Sequence, residues 1–117
     1  MLTPLEVAQT AVKTLDAKKG LDIKLLKTEG ITVLANYFVI CTATSTTHVK
    51  TLADEVSHAL ELLGEKTLRT EGYRGGGWTL IDFGCVIVHV FVDETRKFYN
   101  LERLWADAES VDISGII

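Results

Sequence analysis

The side chains best suited to act as catalytic bases or metal ligands are His48, His58, His89, Cys41 and Cys85. Their spacing matches none of the patterns by which histidine and cysteine hold zinc. His89 is the most informative of them, because it interrupts an otherwise apolar strand-like run. A hydrogen-bonded core or interface histidine is the simpler interpretation, since a catalytic base also needs a nucleophile and an orienting carboxylate. The sequence therefore predicts no metal site, no cofactor and no catalytic residue.

Asp82 is the other ionisable residue in an apolar setting, and it alternates with Trp78 and Leu80 along one face of a predicted strand. A carboxylate in such a setting must be paired or must lie at a surface. The candidate partners are an internal cation, Arg96 or Arg103, or a cation that belongs to another molecule.

Two segments invite a phosphate-binding interpretation. The glycines at 75–77 lack the Lys-Ser/Thr pair of a phosphate loop and open no helix, so we expect a flexible loop there. The Ser/Thr-rich segment 42–47 precedes a predicted helix, and a helix N-terminus favours anions, although every Ser/Thr-capped helix has this pattern. A nucleotidyltransferase would need clustered carboxylates for metal ions, but the chain contains no Asp-x-Asp pair.

The last third of the chain is rich in the aromatic, arginine and acidic types that anchor protein interfaces. These residues are Trp78, Asp82, His89, Phe91, Arg96, Tyr99 and Trp105. Each alone is more often a packing residue, but as a set they favour a protein-binding surface.

The elements that must position these residues follow from hydrophobic periodicity and from helix-capping signals. We predict a helix at 3–18 that begins with a capping box, a helix that follows the segment 42–47 and runs to about Leu63, and a helix whose N-cap is near Asn100. Strands are predicted at 22–27, 37–41, 66–70 (a short edge strand), 78–83 and 85–92, and Gly84 between the last two predicts a tight hairpin or a bulge. The order α-β-β-α-β-β-β-α predicts a single α/β (α+β) domain, with a mixed five-stranded sheet flanked by helices. The domain is expected to span residues 1–108. Residues 109–117 form a short C-terminal tail without periodicity, either loose or packed elsewhere.

The composition favours a folded, cytoplasmic protein. The 117 residues have 47% hydrophobic content, no apolar run long enough for a membrane span and no recognisable signal peptide. Cys41 and Cys85 lie in apolar runs, which is typical of reduced, buried cysteines. The net charge of −4 disfavours direct contact with nucleic acid, and it suits a basic protein partner.

One long C-terminal string resembles the signature of the Iojap family, the ribosomal silencing factors called RsfS. The string runs from Trp78 through Asp82, Gly84 and His89 to Phe91, and continues from Glu94 to Trp105. Upstream matches are Asp22-Ile23, Tyr37-Phe38-Val39-Ile40, Thr44-Ser45, His48-Val49 and Glu71-Gly72. The resemblance covers nearly the whole chain, from the first helix to Asp107.

The resemblance implies a topology like that of nucleotidyltransferases but without their catalytic carboxylates. It implies a non-enzymatic protein that binds the large ribosomal subunit through the basic ribosomal protein L-fourteen. There it would block joining of the small subunit and repress translation when nutrients are short. A role in large-subunit assembly through the same surface is the alternative, and self-association as a homodimer is also implied. The partner-binding residues that the resemblance carries over are Trp78, Asp82, His89, Arg96, Tyr99, Leu101, Leu104 and Trp105.

Overall fold

A six-stranded mixed sheet forms the centre of the protein in the computed structural model, which describes residues 2–117. The helices are α1 (Pro4–Ala17), α2 (Thr46–Leu62), α3 (Asp93–Tyr99) and α4 (Leu101–Leu104). The strands are β1 (Leu21–Lys27), β2 (Tyr37–Ala43), β3 (Arg69–Tyr73), β4 (Trp78–Asp82), β5 (Val86–Val92) and β6 (Glu109–Ser110). Their order across the sheet is β3-β4-β5-β2-β1-β6. Only β2 and β5 pair in parallel.

The two parallel strands at the centre are buried on both faces, as their unbroken apolar sequences predict. Every residue of β2 is buried, and β5 is buried from Val86 to Phe91. Alternate residues of β5 face opposite sides of the sheet, so Val86, Val88 and Val90 join one core cluster while Ile87 and Phe91 join the other.

Helices α1 and α2 cover one face of the sheet and form the larger core cluster with it. Helix α1 begins with the predicted capping box, in which the Thr3 hydroxyl accepts from the Glu6 backbone N–H and the Glu6 carboxylate accepts from that of Thr3. Helix α2 is capped by Ser45, whose hydroxyl accepts from the His48 backbone N–H. The caps fix where each helix begins, and the apolar stripe of each helix, such as Val7, Ala11 and Leu15 in α1, fixes which face packs on the sheet.

The opposite face of the sheet is covered only in part. Leu26, Phe38, Ile40, Ile87 and Phe91 form the smaller core cluster there. The short helix α4 and the residues that follow it place Leu101, Trp105 and Ala108 against this cluster. The remaining uncovered area leaves room for a cleft.

The predicted final helix near Asn100 was only partly right, because two short helices occupy this region. Asn100 is the N-cap of α4, as expected, but it adopts a left-handed backbone (φ 46°) that separates α4 from α3. Helix α3 was missed because its one buried residue is a cation, Arg96, so no apolar stripe marks it.

The expected count of five strands was one too few. The sixth strand, β6, pairs antiparallel with β1, and Val111, Ile113 and Ile116 beyond it pack against the larger core cluster. The predicted edge strand at 66–70 begins later, at Arg69, and runs to Tyr73. Gly84 adopts a positive φ of 86° in the tight turn between β4 and β5, so of the two expected alternatives, a hairpin or a bulge, the structure has the hairpin. None of the helices in residues 2–117 is long and apolar enough to cross a membrane.

Candidate binding cleft

A cleft of about 320 Å³ lies on the partly covered face of the sheet. Strands β4 and β5 form its floor with Phe38 of β2, while Leu101 and Trp105 of the α4 segment form one side. Its lining residues are mostly apolar: Leu34, Phe38, Arg69, Trp78, Leu80, Asp82, Ile87, His89, Leu101 and Trp105. Five of the predicted partner-binding residues are therefore brought together here: Trp78, Asp82, His89, Leu101 and Trp105.

Trp78 is the centre of an aromatic group beside the cleft. Its indole stacks on Phe91 with ring centroids 5.0 Å apart, and it lies 4.9 Å from both Tyr73 and Tyr99. Trp78 sits opposite Phe91 in the pairing of β4 with β5, so the sheet itself fixes this stack. The indole is half-buried and stays available as an anchor for a partner.

His89 lies in the floor of the cleft and is only 5% exposed. Its Nδ1 accepts a hydrogen bond from the indole Nε1 of Trp78 at 3.3 Å, and Phe38 meets the ring edge-on with centroids 5.3 Å apart. Burial lowers the pKa of His89 to about 4, so the ring is neutral at pH 7. Its Nε2 is buried without a hydrogen-bond partner among the described residues.

Asp82 stands at the rim of the cleft, and the two internal cations expected for it were wrong. Neither Arg96 nor Arg103 reaches it. Instead Arg69, directly opposite on β3, approaches with Nη2 3.7 Å from Oδ2. The other carboxylate oxygen of Asp82 accepts from the backbone N–H of Gly84 at 2.7 Å. The Arg69 side chain is 57% exposed, so water screens this ion pair and Asp82 stays available to a partner.

Arg96 holds the fold together and does not line the cleft. Its guanidinium donates from Nη1 to the backbone oxygen of Asp22 and to the Thr42 hydroxyl, each at 2.7 Å, and from Nε to Glu102 at 2.9 Å. One side chain thus joins α3 to β1, β2 and α4. The residue is 7% exposed, which suits a structural cation more than a contact surface.

The last two residues carried over by resemblance also lie outside the cleft. Tyr99 contacts Trp78 from the side and accepts a hydrogen bond from Arg74 Nε. Leu104 is 71% exposed and borders a separate shallow depression with Phe98 and Arg103. The motif therefore spans the cleft, the aromatic side chains beside it and a neighbouring surface of mixed polarity.

Sequence reasoning missed half of the cleft lining: Leu34, Phe38, Arg69, Leu80 and Ile87. Side chains along a strand alternate between the two faces of the sheet. This pattern could have identified Leu80, which shares a face with Asp82, and Ile87, which shares one with His89. Arg69 depends on the register of β3, and Leu34 comes from an irregular loop, so neither carries a sequence signal of its own.

The other candidate sites are occupied by internal contacts or lack clustered ligands. In the Ser/Thr-rich segment Thr42 binds Arg96, and Ser45 caps α2. Both cysteines are free, and burial raises the pKa of Cys41 to about 12. Within residues 2–117, no three His, Cys, Asp or Glu side chains are grouped as metal ligands.

Comparison with known proteins gives consistent matches. A protein-family model described as "Ribosomal silencing factor during starvation" (RsfS) matches residues 2–117. The ribosomal silencing factor RsfS of Halalkalibacterium halodurans is 40% identical over 112 residues, 96% of each chain. A crystal structure of a Chromobacterium violaceum protein superposes with a TM-score of 0.86 at 34% identity, covering 90% of this chain and 88% of that one. The mouse (Mus musculus) "Mitochondrial assembly of ribosomal large subunit protein 1" is 33% identical over 73 residues, 60% of this chain and 32% of that protein.

Proposed function

Because the chain belongs to the ribosomal silencing factor (RsfS) family, we propose that it binds the large ribosomal subunit and represses translation. The contact is with ribosomal protein L-fourteen, and the bound domain blocks joining of the small subunit when nutrients are short. The protein acts in the cytoplasm by steric exclusion and not as an enzyme. The observation that carries the proposal is the cleft on the partly covered sheet face, which gathers five residues of the family motif.

The composition of the cleft supports a protein partner. Its apolar floor and half-buried Trp78 provide the desolvated anchors that dominate binding free energy at protein interfaces. A domain of this size covers on the order of 800 Å² of partner surface, enough to obstruct a joining surface without chemistry.

Charge also supports a basic partner. The chain carries a net charge of −4, and Asp82 at the rim is only loosely paired with Arg69. Attraction between opposite charges speeds association and weakens as salt rises. Binding to ribosomal RNA would need the opposite charge, so we propose little direct contact with nucleic acid.

Homodimer formation is a further part of the proposal. The loop between β1 and β2 exposes Ile31, Val33 and Leu34, with Val33 fully exposed and Leu34 reaching the cleft. Apolar side chains grouped on one loop favour a protein contact, and a second copy of the chain is the occupant that the family resemblance suggests.

Assembly of the large subunit is the second candidate function. It is favoured by the similarity to the mouse protein, whose name describes assembly of the mitochondrial large ribosomal subunit. Both functions use the same contact with the large subunit, so they differ in timing and not in the surface involved.

The test is co-sedimentation of the purified protein with large subunits, small subunits and joined ribosomes. We expect selective binding to large subunits, at least about tenfold weaker for Trp78→Ala because an aromatic anchor is removed. Asp82→Lys should weaken binding by charge reversal at the rim. Asp16→Lys, an equal charge change on exposed α1 across the sheet, is the matched control and should bind normally.

Circular dichroism must show that each variant is folded. A subunit-joining assay with initiation-ready small subunits then separates silencing, in which joining fails, from a role confined to assembly. Absence of binding to large subunits at low and moderate salt would contradict both functions. Normal binding by folded Trp78→Ala and Asp82→Lys would move the contact away from the cleft.

A further inference from the structure

The hydrogen bond between Trp78 and His89 fixes the position of the histidine proton. An indole N–H can only donate, so the Nδ1 of His89 that receives it at 3.3 Å must be unprotonated. In a neutral imidazole the single proton then resides on Nε2. Burial holds the pKa of the ring at about 4, so this neutral form predominates at pH 7.

The resulting Nε2–H group is a hydrogen-bond donor with no acceptor in residues 2–117. Buried donors are nearly always satisfied in native proteins, and an unsatisfied one lowers stability. Asp82, the carboxylate of the cleft, makes no hydrogen bond with Nε2; its two oxygens contact the Gly84 backbone N–H and Arg69 instead. Aromatic and aliphatic side chains lie beside the ring, among them Phe38, Phe91 and Leu80, the residue opposite His89 on β4.

We propose that the ribosomal partner, when docked in the cleft, supplies a main-chain carbonyl oxygen that accepts a hydrogen bond from Nε2–H of His89. This inference rests on the proposed function and specifies the chemistry of that contact. A carbonyl is favoured over a carboxylate because bringing an anion into so apolar a cleft costs much more free energy. It also fits a basic partner, whose lysine and arginine side chains have only donors to offer.

The contact requires a small adjustment of the cleft. Nε2 exposes less than 1 Å² to solvent, so neighbouring side chains must move aside as the partner docks. Trp105, which meets Phe38 edge-on with centroids 5.3 Å apart, lies beside the four-residue helix α4 on the side of the cleft. Recognition then depends on an acceptor at one position as well as on apolar fit.

The test compares two neutral amide substitutions, His89→Gln and His89→Asn, in co-sedimentation with large subunits. The longer glutamine amide reaches the place of Nε2, whereas the asparagine amide ends near the place of Nδ1. We expect His89→Gln to bind close to wild type, and His89→Asn and His89→Leu to bind about tenfold more weakly. Equal binding by wild type and folded His89→Leu would overturn the proposal.

A measurement on the wild-type protein keeps the test independent of variant folding. Nitrogen-15 NMR of the histidine rings should show His89 protonated at Nε2. On titration with purified ribosomal protein L-fourteen, that proton should move downfield and exchange more slowly with water. Protonation at Nδ1, or an unchanged Nε2–H signal in a complex that forms, overturns this inference alone. Failure of the wild type to bind either L-fourteen or large subunits overturns the proposed function with it.

Discussion

Replacement of Arg96 by methionine should destabilise the domain strongly, although the side chain lies outside the cleft. The substitution keeps a long aliphatic chain but removes three hydrogen bonds, two of 2.7 Å and one of 2.9 Å. It leaves the Thr42 hydroxyl buried without this partner and Glu102 without its counter-ion. The three contacts join α3, α4, β1 and β2, so their loss loosens the packing of these four elements on one another.

The magnitude follows from the exposure of the partners. Hydrogen bonds to a charged group contribute roughly 1.5–3 kcal/mol each. The Glu102 side chain is 36% exposed, so hydrogen bonds with water replace much of what it loses. Thr42 is only 4% exposed, so water cannot replace the hydrogen bond that its hydroxyl loses. We therefore expect the free energy of unfolding to fall by about 3 kcal/mol, and the melting temperature by roughly 12 °C.

Urea unfolding followed by tryptophan fluorescence and by circular dichroism measures this change. Lys97→Met is the matched control, because it removes a neighbouring cation of α3 whose side chain is 77% exposed and pairs with the exposed carboxylate of Asp93. It should leave the urea midpoint unchanged. If Arg96→Met falls within about 0.5 kcal/mol of wild type, the three hydrogen bonds contribute nothing net and the reasoning is wrong.

Acid should destabilise the protein through His89, whose pKa is about 4 in the folded state against 6.5 ordinarily. Between these two pH values the His89 ring is protonated in the unfolded chain but not in the folded protein. The free energy of unfolding therefore falls as the pH drops from about 6.5 to 4, by about 3 kcal/mol in all. Urea midpoints at pH 7.5 and 4.5 should differ less in His89→Gln than in wild type, and an equal difference would show that another group titrates. The two thiols should also differ in reactivity, since burial raises the pKa of Cys41 to about 12 while Cys85 is only half-buried. A thiol reagent at pH 8 should label Cys85 first, as read by peptide mass spectrometry, and prior labelling of Cys41 would mean that β2 opens readily.

Most of the fold could be predicted because its signals are local. Thr3 and Ser45 mark helix starts through side-chain caps, and Gly84 marks the hairpin through its positive φ. The runs of β2 and β5 are apolar at every position that the sheet buries on both faces. In each case the residues that specify the element lie within the element or within a few residues of its end.

The errors arose where the determining contact is distant. Helix α3 exists because Arg96 reaches Asp22 and Thr42, which no periodicity records. The partner of Asp82 depends on the register of β3, an edge strand with four of its five residues exposed and therefore without an alternating signal. Strand β6 pairs with β1, more than eighty residues earlier in the chain.

The candidate site was predicted in part for the same reasons. The resemblance supplied Trp78, Asp82, His89, Leu101 and Trp105, all of which line the cleft. It also supplied Arg96, which holds the fold, because a family motif does not separate contact residues from structural ones. The tautomer of His89 becomes visible only once the cross-strand neighbour of the ring is known.

The parallel pairing of β2 with β5 bears on how the protein is made. Residues 37–43 meet residues 86–92, with α2, β3 and β4 between them. Contacts so far apart in the chain cost loop-closure entropy before they add stability, and they slow folding. During synthesis, one edge of the almost wholly apolar β2 has no partner until residue 92 has been added. An unpaired apolar edge readily pairs with a strand of another chain. We therefore expect this protein to be vulnerable to aggregation while it is being synthesised.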